Sequence, residues 1–216
     1  VVGRIAANTH FLRFLLQQDP FDRYELFLRD PEEQDAMQEH LELLGLDPAL
    51  AGRIRVRNRL ELPRALAETR IHCLHQSDCI IFPAHLAALR NAVSPEIFPI
   101  TSVTHSLSYA DYQQAFLKHL APTVSARDCL VATSTAAEGA IQAFFARLRA
   151  DYGLDQDRFP QPDVRRIPLG VDPEAMAPAA PDRRAELRRA RGLGRGTCCL
   201  LAFGRIVHHS KMDFIP

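Results

Sequence analysis

The sequence predicts an α/β fold, a doubly wound parallel sheet, on three observations. Segments of strand character alternate with segments of helical periodicity along the whole chain. Several strand segments are continuous apolar runs, such as residues 78–82 (DCIIF) and 129–133 (CLVAT), as expected of strands buried on both faces. Glycine or a small polar residue follows the strands, at the sheet edge where such folds bind ligands.

Val1 and Val2 read as the tail of a first strand, and residues 3–8 (GRIAAN) as a turn. A helix is expected over 9–18, with Phe11, Phe14 and Leu15 at amphipathic spacing. Residues 24–28 (YELFL) form a strand. Pro31, followed by Glu32, Glu33 and Asp35 at the positive end of the dipole, starts a helix that runs towards Gly45. Residues 53–59 (RIRVRNR) alternate arginine with Ile54, Val56 and Asn58, a strand with one solvated face. A short helix over 62–69 precedes the strand at 78–82, which Pro83 stops. A strand over 98–104 (FPITSVT) ends at His105, and a helix over 109–120 is broken by Pro122. The strand at 129–133 ends at Ser134. The longest helix, 135–152, carries Ile141, Phe144, Phe145 and Leu148 on one stripe. A strand over 164–169 is closed by Gly170. The Pro- and Ala-rich stretch that follows (VDPEAMAPAAP) reads as a linker, before a charged helix over 182–193 and a last strand over 198–203. The organisation expected is an N-terminal domain over 1–171, a linker over 172–181 and the start of a second domain over 182–216.

Composition bounds the rest. With 47% hydrophobic and 24% charged residues, the chain is that of a soluble globular protein, not a disordered one. Lys+Arg and Asp+Glu both total 26, so net charge points to neither nucleic acid nor an anionic membrane. No apolar run reaches the roughly 18–20 residues of a membrane span, and no secretory signal is visible. The five cysteines, 73, 79, 129, 198 and 199, are odd in number and mostly sit in or beside apolar runs. They read as small buried thiols in a reducing, cytoplasmic setting rather than as a disulfide framework.

Gly3, His105, Ser134 and Gly170 each follow an inferred strand, so that together they would line one crevice. Gly3 would let a ligand approach the backbone beside a helix N-terminus, although one glycine is not GxGxxG and an ordinary tight turn also fits. Asn8 or Thr9 would cap the helix that follows. His105 is either a hydrogen-bonded histidine at a strand end or an imidazole on the crevice floor that donates to a hydroxyl or a developing oxyanion. In residues 197–211 (TCCLLAFGRIVHHSK) an apolar run stops on Gly204 and Arg205, with Lys211 six residues further on. A guanidinium forks onto two phosphate oxygens and an ammonium adds a mobile charge, so the pair suits a diphosphate; a solvated surface pair is the alternative. His72, Cys73, His75 and Cys79 match no common zinc spacing. His208 and His209 are adjacent, so their side chains diverge. The arginines at 183, 184, 188, 189, 191 and 195, offset by Asp182 and Glu186, read as a solvated helix face.

The succession IPLGVDP (167–173), charged helix, apolar strand, GR, five residues, K resembles the hinge and donor-site entrance of the retaining, family-4-type glycosyltransferases of GT-B fold. Residues 103–106 (VTHS) match that family's V-x-x-H strand end, with Ser106 where an aspartate often follows. Met212 and Asp213 follow Lys211, where the family usually has glycine. The likeness covers most of the chain, and its specific motifs cluster between about Val164 and Asp213. It implies two Rossmann-like domains facing a cleft, the first for a carbohydrate or glycolipid acceptor and the second for a nucleotide sugar. It implies transfer with retention of configuration, with the nucleotide sugar as substrate and neither an obligatory metal nor a cofactor. By the same resemblance, Gly204, Arg205 and Lys211 hold the donor diphosphate, His105 positions sugar or acceptor, and Gly3 and Ser134 line the cleft.

The family's paired glutamates would lie beyond Pro216. The chain as given is therefore expected to be an incomplete fragment without turnover, and poorly soluble because strand 198–203 lacks partner strands. A nucleotide-sugar epimerase of the same fold, or a non-catalytic binding or assembly subunit, are the alternatives. A dinucleotide dehydrogenase is disfavoured by the missing glycine-rich fingerprint.

Overall fold

The computed structural model describes residues 3–107, 112–174, 176–194 and 196–200. Chain contacts divide it into two units, Val1–Gly170 and Val171–Pro216. The first unit holds all six strands found among the described residues, in two parallel sheets. β1 (Tyr24–Leu28) pairs with β2 (Ile54–Asn58). β3 (Leu74–Gln76), β4 (Ile100–Val103), β5 (Cys129–Ala132) and β6 (Asp163–Arg166) form a four-stranded sheet in chain order. The helices between them are α1 (Gly3–Gln18), α2 (Pro31–Leu43), α3 (Pro48–Ala51), α4 (Leu62–Glu68), α5 (Pro83–Val93), α6 (Tyr112–Leu117) and α7 (Thr135–Tyr152). α8 (Pro181–Ala190) belongs to the second unit and buries none of its residues. The α/β class with parallel strands is the one expected. Among the described residues, no helix is long and apolar enough to cross a membrane.

Helix ends follow local chemistry. The Asp30 carboxylate accepts from the Glu33 backbone N–H at 3.0 Å, Pro31 fills a position that needs no donor, and Glu33 reaches back to the Arg29 N–H at 2.9 Å. At the C-terminus of α7, Gly153 adopts φ 62°, a left-handed turn that costs a glycine little.

The β1–β2 sheet packs one face, Tyr24, Leu26, Ile54 and Val56, against Leu12, Leu15 and Leu16 of α1 and Leu41 of α2. Its other face carries Glu25, Phe27, Arg55 and Arg57, with Arg57 paired to Glu25 at 3.3 Å and its guanidinium over the Phe27 ring. In the four-stranded sheet Ile100, Ser102, Leu130 and Ala132 are buried, whereas Thr101, Val103, Cys129 and Val131 are half-buried. Leu130 and Ala132 join Phe116 of α6 and Ile141, Phe145 and Leu148 of α7 in one core cluster, and Ile100 joins Leu66 and Ala87 in another. α1 lies on the opposite face, through Phe11 stacked on His75. Helices thus reach both faces of the four-stranded sheet, but its second face is covered less fully than the continuous apolar runs suggest.

Several expectations change. Residues 78–82 are not a strand: the Asp78 carboxylate accepts from the N–H groups of Ile80 (2.6 Å) and Ile81 (3.4 Å), folding the apolar run into a turn. The strand lies upstream as β3, and Pro83 opens an unforeseen helix, α5, instead of merely ending a strand. Residues 3–8 are the first turns of α1, not a loop, so Gly3 is the first residue of a helix. β6 is shorter than expected and ends at Arg166; residues 167–170 follow it exposed. The short α3, capped by Asp47 at 2.8 Å to the Ala49 N–H, was also not foreseen. The expected strand over 198–203 has no regular structure at 198–200, and its remainder lies outside the described residues, as do Val1, Val2 and residues 109–111.

Among the described residues of the first unit, one ion pair is buried. Arg90 of α5 is 0% exposed and Asp128, just before β5, is 5% exposed. They meet at 2.6 and 3.3 Å through two guanidinium nitrogens. Removing one partner leaves a buried charge unpaired, so Arg90→Ala is expected to cost about 3–5 kcal/mol. Arg64→Ala, which breaks an exposed pair with Glu68, is expected to cost under about 1 kcal/mol. Urea denaturation of both variants checks the contrast.

Candidate functional site

Parallel register places the carboxyl ends of β3, β4, β5 and β6 side by side: Gln76 pairs with Ser102, Val103 with Val131, and Ala132 with Arg166. The residues that follow these strands therefore share one edge. His105, two residues beyond β4, is half-buried, and its Nε2 lies 2.9 Å from the Ser77 carbonyl oxygen, just after β3. A carbonyl can only accept, so Nε2 carries the hydrogen and donates it. In the neutral ring, Nδ1 is then left as an acceptor. The nitrogen that would have donated to a ligand is occupied by the fold, and what His105 can offer is a basic nitrogen.

Ser134 follows β5 and is exposed, and its Oγ accepts from the Ala137 N–H at 3.1 Å as the cap of α7. Its side chain thus has a structural duty at this sheet edge. Between them, Thr104 is fully buried and its Oγ1 accepts from the Thr133 N–H at 3.2 Å, binding the end of β4 to the end of β5. From β6, Arg166 donates to Thr135 Oγ1 at 2.7 Å and lies 4.0 Å from Glu138, which sets a cation beside the first turn of α7. Gly170 is exposed, with nothing within 4 Å of where a Cβ would stand. The edge thus gathers His105, Ser134 and Arg166; Gly3 opens α1, while Gly204, Arg205 and Lys211 lie outside the described residues. Sequence reasoning missed Arg166, Thr104 and Ser77. The threonine beside His105 was the available signal for the second; for Ser77 there was none, because β3 had been placed too late.

The other chemistry-bearing groups are structural. His75 bonds Thr101 Oγ1 through Nδ1 at 2.9 Å and stacks on Phe11 with ring centroids 4.4 Å apart. Buried His119 donates from Nε2 to the Cys79 carbonyl at 2.7 Å. Among the described residues no group of three or more His, Cys, Asp or Glu side chains is placed to hold a metal ion. All five cysteines are free: Cys79 is buried, and burial pushes its thiol up to about 12. Cys198 and Cys199 are exposed, against the expectation of buried thiols. Arg183 pairs with Glu186 at 2.7 Å, and Arg188 donates to the Thr197 carbonyl at 2.7 Å, so part of the basic run on α8 is used within its own unit.

No family model matches the chain, and no curated protein and no solved structure gives a significant match to it.

Two outcomes are expected. Ser134→Ala removes the cap of α7 and should cost about 1 kcal/mol, with Ser134→Asp restoring most of it in thermal or urea unfolding. Burial holds His75 down to about 4, against an ordinary imidazole value of 6.5, and also lowers His119. Between those values the unfolded chain binds protons that the folded chain does not, so this stability is whole above 6.5 and lost as pH falls towards 4. The urea midpoint should fall between about pH 7 and pH 4.5, and His75→Gln should flatten the fall.

Proposed function

We propose that the chain belongs to a glycosyltransferase of the retaining GT-B type, an enzyme that moves a sugar from a nucleotide-diphosphate sugar to a carbohydrate or glycolipid acceptor. The observation that carries this reading is His105, held at the carboxyl edge of a parallel sheet with Nε2 on the Ser77 carbonyl and Nδ1 left as an acceptor. An acceptor hydroxyl that donates to Nδ1 would be oriented there and become more nucleophilic. In the transfer, the bond from the sugar's anomeric carbon to the diphosphate oxygen breaks and a bond to the acceptor oxygen forms. The acceptor's proton passes to His105 Nδ1, and the diphosphate leaves with the electron pair of the broken bond and so gains charge. Arg205 and Lys211, in the sequence motif GR-x5-K, supply two cations for that charge. Ser134 and Gly170 border the acceptor side, and Arg166 adds a cation at the same edge.

Equilibrium dialysis of the full-length protein against radiolabelled UDP-, GDP- and ADP-sugars tests the donor half. One nucleotide class is expected to bind, and Arg205→Ala and Lys211→Ala should each weaken that binding about tenfold or more, the loss of a charge-assisted contact. His105→Ala should leave donor binding unchanged. Failure of all three classes to bind, or donor binding indifferent to Arg205 and Lys211, would overturn the reading.

A further inference from the structure

Residues 77–81, between β3 and α5, form a turn that offers a carbonyl to each of two histidines. The Ser77 carbonyl accepts from His105 Nε2 at 2.9 Å, and the Cys79 carbonyl accepts from His119 Nε2 at 2.7 Å. His119, just beyond α6, is 3% exposed, and Cys79 is 1% exposed in the core cluster of Phe116, Leu130 and Phe145. The Cys79 side of the turn is thus anchored in the interior. The Ser77 side has less to hold it: Ser77 and Asp78 are half-buried, and β3 before them is three residues long.

Asp78 closes the turn. Its Oδ1 accepts from the Ile80 N–H at 2.6 Å and from the Ile81 N–H at 3.4 Å. A short side chain that bonds the backbone two residues on takes the place of a backbone turn, and it needs an oxygen at this reach. Without that oxygen, Cys79, Ile80, Ile81 and Phe82 have the composition of a strand. The extended run expected over 78–82 is the conformation that Asp78 excludes, and an extended run would carry the Ser77 carbonyl with it.

His105 is held from two sides. Its backbone follows Thr104, whose N–H donates to the Val131 carbonyl at 2.9 Å and whose Oγ1 accepts from the Thr133 N–H at 3.2 Å. Its ring is held by the Ser77 carbonyl, 28 residues upstream. One neutral hydrogen bond is worth about 1 kcal/mol net, so it fixes a ring only where the acceptor is itself fixed.

We propose that Asp78 is a positioning residue for His105: by closing the turn it fixes the Ser77 carbonyl on Nε2 and keeps Nδ1 the nitrogen left to accept. What Nδ1 then does to an acceptor hydroxyl rests on the transferase reading, whereas the positioning is measurable without any sugar.

Proton NMR of the full-length protein, isotope-labelled in its histidines, tests it through the exchange of the His105 Nε2–H with water. The signal is assigned by its loss in His105→Gln. Asp78→Asn keeps an oxygen at the same reach and removes the charge, whereas Asp78→Glu keeps the charge and moves the oxygen one methylene further. Exchange should be slow in the parent and in Asp78→Asn, and about tenfold or more faster in Asp78→Glu, with the backbone amides of β4 and β5 unchanged. Equal rates in all three overturn the inference. The reverse order, fast in Asp78→Asn and slow in Asp78→Glu, overturns it too, by assigning Asp78 to a charge contact. If Asp78→Glu does not fold, Asp78→Ser replaces it: its hydroxyl makes this turn more weakly, so exchange should be about threefold or more faster, and an unchanged rate overturns the inference. The expected pattern in a protein that binds no nucleotide sugar supports the role of Asp78 and removes only the transferase reading.

Discussion

The four-stranded sheet is assembled around the buried pair Arg90–Asp128. The guanidinium donates to Asp128 and also to the carbonyls of Phe98 (2.7 Å) and Thr123 (3.1 Å). The carboxylate in turn accepts from the N–H groups of Ile100 (2.9 Å) and Ser125 (2.8 Å). The Asp128 carbonyl accepts from Asp163 at 2.7 Å. One ion pair therefore ties α5 to the starts of β4, β5 and β6. Taking these charges out of water is expensive, and the pair is tolerable because neighbouring backbone groups take up the remaining hydrogen-bonding capacity. Its contribution is to fix which strand starts where, more than to add net stability.

That network lies at the amino ends of the strands, opposite the edge that carries His105, Ser134 and Arg166. The two edges are built differently. At the amino edge, polar groups are buried and satisfied within the fold. At the carboxyl edge His105 is half-buried and Ser134 and Arg166 are exposed, and two of them retain hydrogen-bonding capacity: the Nδ1 nitrogen of His105 and the cation of Arg166. A rigid amino edge with a polar carboxyl edge is the arrangement in which a parallel sheet can present side chains to a ligand without losing its register. Thr104, fully buried between the ends of β4 and β5, holds the base of that edge.

Much of the fold was legible because local chemistry and long-range packing agree over most of the chain. Asp30-Pro31 starts α2 and Ser134 starts α7 as their side chains require, and the stripe of Ile141, Phe145 and Leu148 is buried as its spacing requires. Disagreement arose where one signal served two structures. The run DCIIF is apolar whether it is a strand or a turn packed on the core; Asp78, by capping two following N–H groups, selects the turn. Pro83 can end a strand or occupy the first turn of a helix, and here it does the latter. Because α5 was not foreseen, neither was the burial of Arg90, which on composition alone is one more surface arginine.

By itself the sequence determined the α/β class, the parallel strands, the positions of most helices and the ends of β4 and β5, where His105 and Ser134 follow. These follow from periodicity, capping and turn chemistry, which act within a few residues. The tertiary structure decided what depends on groups far apart in the chain. It brought the Ser77 carbonyl to His105 Nε2, so that in the neutral ring the nitrogen left to accept is Nδ1. It turned Ser134 into a helix cap, set Arg166 against Thr135, and paired Arg90 with Asp128 across 38 residues. A side chain's type is written in the chain, but its free valences depend on which partners the packing leaves it.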